Sequence, residues 1–179
     1  MSQSAILWSV NNASVFQSMK SSDGAFTASA LAKAAGCTTA ALRSWRTRNG
    51  LFPETAGAIT WNRYTFLQVC LVRVLVVLIK HGISPADAIW FVRDGNLEIA
   101  VKAAIDDYGM STLIEFGRSF GKEHPQFQLY VDPEETVGSL VKRAGWVTTV
   151  IDLAPLIDDV RVALVLQPGF MSSGSAGPV

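Results

Sequence analysis

Three arginines, Arg43, Arg46 and Arg48, fall within six residues that contain no carboxylate. On a helix, positions three apart share a face, which sets Arg43 beside Arg46. A guanidinium is a planar fork of N–H donors, matched to phosphate oxygens and to the edge of guanine. Just ahead stand Thr38 and Thr39. At the start of a helix they expose free amides and a positive dipole end to a phosphate, or cap the helix, or both. Lys33 and Arg63 extend the basic set on either side. Lys33, Thr38, Thr39, Arg43, Arg46, Arg48 and Arg63 are therefore the candidate DNA contacts. For the charges the alternative is a solvated surface. Arg73 interrupts an apolar stretch and reads as paired with an acid or snorkelling to the surface, not as part of this set. Trp45, Trp61 and Tyr64 have faces for stacking on bases, but read as packing residues of a small core.

Catalytic chemistry needs a constellation, and none is visible. The histidines are His81 and His124, with no ligand-like spacing to each other or to the cysteines. Asp106-Asp107, Glu134-Glu135 and Asp158-Asp159 are adjacent pairs, which diverge on a helix. No phosphate loop, nucleophile elbow or dinucleotide fingerprint occurs. Cys37 and Cys70 read as free thiols in a reducing compartment. The expectation is a protein that is not an enzyme, with no cofactor and no metal.

The elements that must carry the basic set follow from caps and stops. Thr27 precedes an alanine-rich helix from Ala28 to Ala35, and Gly36 ends it. Thr38 or Thr39 caps a second helix to about Arg48, stopped by Asn49-Gly50. Helix, glycine turn, helix, with Leu31, Ala35 and Leu42 facing inward, is helix-turn-helix spacing. Two β-prone pieces between Leu51 and Tyr64 read as a hairpin, which would be a wing. Thr65 caps a long helix to about Lys80, apolar all round and so buried on both sides. Ser84-Pro85 opens the next helix. Leu97 to about Phe120 reads as one or two further helices. Gln126–Val131 reads as a strand, 133–144 as a helix, Trp146–Leu153 as a strand and the stretch from Ala154 as a helix.

Charge divides along the same line. From Gly24 to Ala86 there are seven basic residues and one acid, Glu54, a formal +6. The whole chain is neutral, so the remainder carries −6. Such segregation fits a DNA-facing module joined to one with another task. Charged residues are only 17% of the chain and hydrophobic ones 49%, which suggests that apolar surface is buried against a second copy. Residues 1–20 lack the pattern of a secretory leader, and the apolar run Val69–Ile79 is too short to span a bilayer. A cytoplasmic protein without a membrane partner is expected.

The order of parts resembles the MerR family of regulators. Phe26 to Thr38 looks like the family's first helix and turn. Thr39-Ala40-Ala41-Leu42-Arg43-Ser44-Trp45 is similar to its recognition helix, which carries a Leu-Arg pair followed by aromatics. Gly50-Leu51-Phe52-Pro53 resembles its Gly-Leu-x-Pro step into the wing, Arg63-Tyr64 the end of the wing, and His81 to Ile89 the step between the later helices. The family usually has a second aromatic and then an acid after the Leu-Arg pair; here Ser44-Trp45-Arg46 follows. The resemblance implies a dimer on a pseudo-palindromic site in double-stranded DNA; the self-association expected is a homodimer or a higher homo-oligomer. The fold expected is mainly α: an N-terminal arm (1–25), a winged helix-turn-helix domain (26–93), connecting helices (94–125), a small α+β association segment (126–166) and a disordered tail (167–179). The function expected is a sequence-specific transcriptional regulator. An excisionase-like or phage-type architectural factor, or an interaction module that has lost DNA binding, stays open.

Overall fold

Caps and glycine stops set the helix boundaries in the computed structural model, which describes residues 26–53, 63–93, 95–106, 113–117, 126–130 and 149–166. Helix α1 spans Ala28–Ala35, and the Thr27 hydroxyl accepts from the Ala30 amide. At its end Gly36 is left-handed, φ 79°. The Gly36 amide donates to Lys33 O and the Cys37 amide to Ala32 O, so the last carbonyls are satisfied in a Schellman turn. Helix α2 spans Thr39–Asn49. Of the two threonines, Thr38 is the cap, accepting from the Ala41 amide at 3.0 Å. Helix α3, Phe66–Lys80, starts with a reciprocal capping box between Thr65 and Gln68. Helix α4, Pro85–Val92, starts at Ser84, whose hydroxyl accepts from the Asp87 amide.

The long helix α3 is the centre of the packing. Its buried residues run right round it, from Phe66 and Val69 to Val76 and Leu78. It packs on α1, on α4, on α5 (Gly95–Asp106) and on α6 (Leu153–Val165). Helix α6 also lies against α1 and α5. Leu153, Ile157, Val160 and Leu164 of α6 are buried in the same core as Leu31, Leu42 and Leu75. The segment read as a separate association unit therefore contributes a helix to the core of the helix-turn-helix. Two arginines fix that helix. Arg73 on α3 bonds to Asp159 on α6 at 3.2 Å, so its expected pairing with an acid is what the structure has. Arg161, 3% exposed, bonds to Asp158 at 2.8 Å and to Ile105 O at the end of α5, 3.3 Å, and sits 5.7 Å from the Phe66 ring.

One expectation is overturned. The sequence pattern predicts connecting helices over 94–125; helix α5 covers Gly95–Asp106, but Leu113–Gly117 is strand β1. It is the middle strand of a three-stranded antiparallel sheet in the order β2-β1-β3, with β2 at Gln126–Tyr130 and β3 at Thr149–Asp152. Leu113 pairs with Tyr130 on one side and with Asp152 on the other. Five residues are too few for periodicity to separate strand from helix, and pairing with distant strands decided the matter. Strand β3 runs straight into α6, with Asp152 as its N-cap. The molecule is mainly helical, with the helix-turn-helix at its N-terminal side. The N-terminal arm, most of the hairpin read as a wing (with Trp61), the helix read at 133–144 and the tail lie outside the described residues.

Candidate nucleic-acid interface

The recognition-helix candidate is lightly anchored. Of the eleven residues of α2 only Leu42 is buried, with Trp45 half-buried against the core. The helix packs on α1 and on α4. At its C-terminal end Gly50 is left-handed, φ 68°, and the guanidinium of Arg93, the C-cap of α4, comes so near that a Cβ there would lie 3.4 Å from it. A cation at that position complements the helix dipole.

Its other faces are polar. Arg43 and Arg48 are exposed, as are Thr39 and Ala40 of the first turn. No carboxylate lies on α1 or α2. Beside α2 is a groove of about 950 Å3, lined by Arg43, Arg46 and Arg48, by Thr39, by Thr27 and Ser29 at the head of α1, and by Arg63. Five of the seven expected contacts thus come together. Lys33 and Thr38 are exposed but do not line the groove. Ser29 and Thr47, which also line it, were missed by the sequence reading. Nothing but position could have revealed them, since Thr47 spends its hydroxyl on the Arg43 carbonyl, 3.0 Å away.

Arg43 and Arg46, expected to act together, differ in setting. Arg46 is half-buried, and its Nη1 donates to the Tyr64 hydroxyl at 2.9 Å, with the guanidinium carbon 5.7 Å from the centre of that ring. Tyr64 is fully buried. Its backbone forms an isolated antiparallel bridge with Phe26, through bonds of 3.0 and 2.8 Å, so the chain entering α1 is tied to the chain entering α3. Burial raises the Tyr64 hydroxyl pKa, and the nearby Arg46 charge and hydrogen bond pull it partly back. Phe52, at φ 54° in the step after α2, stacks at a tilt on Tyr64 with ring centres 6.4 Å apart.

Residues 26–92 match the family model described as MerR HTH family regulatory protein. This segment is a MerR-type helix-turn-helix domain. It accounts for a little over a third of the chain, and no curated protein matches the chain. The matched segment is the part of the chain that carries the basic groove. Cys37 is half-buried and Cys70 buried; burial raises the pKa of both thiols. Among the described residues no three histidine, cysteine or acidic side chains cluster as metal ligands, and no helix is long and apolar enough to cross a membrane.

Proposed function

We propose that the protein is a sequence-specific transcriptional regulator that acts as a homodimer on double-stranded DNA in the cytoplasm, and that it is a binding protein and not an enzyme. The reading rests above all on one observation: exposed Arg43 and Arg48 on a helix without acids, facing a groove shared with Arg63. In this reading α2 enters the major groove. Arg43 reads base edges or adjacent phosphates. Arg48, Arg63 and Lys33 meet the backbone, and Thr38 and Thr39 bring the amides of the first turn of α2 to a phosphate. Arg46 has the separate role argued below. Two copies would set two recognition helices about one helical turn apart on a pseudo-palindrome. Exposed Ile99 on α5, Val162 on α6 and Leu166 at the end of α6 supply apolar surface for a second copy.

Selection of genomic fragments by the wild type and by Arg43→Ala/Arg48→Ala, each at two salt concentrations, tests this. The wild type is expected to enrich discrete sites with half-site symmetry, and the variant to lose them. Binding of the wild type should fall steeply with salt. Enrichment of nothing by the wild type, or equal enrichment by both, overturns the reading.

A further inference from the structure

The geometry points to Arg46 as a positioning residue: a latch that holds the recognition helix to Tyr64 at the base of the fold, and not a contact with DNA. The inference rests on the DNA-binding reading for its consequence, though the latch itself is a matter of geometry. Three observations carry it. Helix α2 fully buries a single side chain, Leu42, with Trp45 half-buried against the core, so apolar packing anchors it lightly. Arg46 leaves α2 toward Tyr64, donating to its hydroxyl at 2.9 Å with the guanidinium near the ring. Tyr64 is itself immobilised, fully buried and bonded through its backbone to Phe26 in both directions. A half-buried charged donor on a fixed hydroxyl holds more firmly than an exposed ion pair. The latch therefore adds, on the face of α2 that Leu42 also occupies, a tie to the point where the chain enters both α1 and α3. Arg43, three residues earlier and exposed, is left to meet the DNA.

A residue that positions and a residue that touches phosphate weaken binding in different ways. Loss of a phosphate contact lowers the slope of log K against log salt by about 0.9. Loss of a latch reduces the fraction of molecules with α2 docked, which weakens apparent affinity and leaves the slope alone. The comparison uses the full chain as wild type, Arg46→Lys, Arg46→Met, Tyr64→Phe and the double variant Arg46→Met/Tyr64→Phe. DNA affinity is read across a salt series, and amide exchange of residues 39–49 is read without DNA. Arg46→Met and Tyr64→Phe should each weaken binding about three- to tenfold at unchanged slope, with the double variant no weaker than the worse single one. Arg46→Lys, which can still donate to the hydroxyl, should recover part of the loss. Exchange over 39–49 should quicken in both single variants, with α4 and α6 unchanged. A slope lowered by about one unit in Arg46→Met, with Tyr64→Phe binding as wild type, overturns the inference and makes Arg46 a phosphate contact. Should the wild type bind no DNA, the proposed function fails, and the exchange measurement still decides the latch: unchanged exchange in both variants overturns it.

Discussion

At Gly36 two constraints meet on one residue. The Schellman turn between the helix-turn-helix helices needs a left-handed residue there, and φ is 79°. An added Cβ would also lie 3.0 Å from Arg73 Nη1. To make room, that guanidinium must shift against its pair with Asp159 at 3.2 Å and its reach to the Ala35 carbonyl at 3.5 Å. Gly82 has a similar φ, 87°, with nothing within 4 Å of the Cβ position. Gly82→Ala should therefore cost only the backbone term, about 1 kcal/mol, and Gly36→Ala about 2 kcal/mol or more once the crowding is added. Urea denaturation of both variants measures the difference. Equal destabilisation would mean that Arg73 yields freely and that the end of α1 is not braced by α6. In the sequence Arg73 stands apart from the DNA-binding set because it breaks an apolar run. That it reaches the end of α1 could not be read, since the contact joins positions 38 residues apart.

Among the elements, starts and stops were more legible than destinations. Thr27, Thr38, Thr65 and Ser84 each cap the helix that follows, and Gly36 and Gly50 end the two helices before them, because these are local hydrogen-bonding and backbone rules. The strongest start is at α3, where the Gln68 amide donates to Thr65 Oγ1 at 3.1 Å and the Thr65 amide to Gln68 Oε1 at 3.0 Å. Thr65→Ala should destabilise by about 1 kcal/mol, with Thr65→Ser close to wild type. Both are checked by thermal unfolding. A loss in Thr65→Ser as large as in Thr65→Ala would show that the methyl group and not the cap matters. What was not legible is what depends on partners far along the chain. Leu113-Ile114-Glu115-Phe116-Gly117 became a strand because residues 126–130 and 149–152 came to lie on either side of it. The pattern of α6 revealed its apolar face, but nothing local indicated that this face would pack on α1 and α3. The candidate site divides in the same way. The basic character of α2 is written in its residue types, whereas the engagement of Arg46 depends on Tyr64, eighteen positions away.

Over the whole molecule, the family match ends at residue 92 but the core does not. Helix α6 places Leu153, Ile157, Val160 and Leu164, all at 2% exposure or less, against helices that include α1. Full burial of each such side chain contributes about 1.5–3 kcal/mol, an upper estimate because the unfolded chain is partly compact. Four of them together approach the whole net stability of a typical domain, about 5–15 kcal/mol. To this α6 adds Arg161, which closes on Ile105 O and the Phe66 ring, and Asp159, which holds Arg73 at the end of α1. The helix-turn-helix is thus completed from the opposite end of the chain, and DNA binding should depend on residues that touch no DNA. A chain ending at residue 148 should lose its cooperative thermal transition and bind a dye for exposed apolar surface, while keeping much of its helical circular dichroism. A milder variant, Ile157→Ala, should cost about 2–5 kcal/mol and weaken DNA binding only as the folded fraction falls. If the shortened chain instead unfolds cooperatively within a few degrees of the full one, residues 26–106 are a self-sufficient domain, and the burial of α6 reflects docking onto a core already complete.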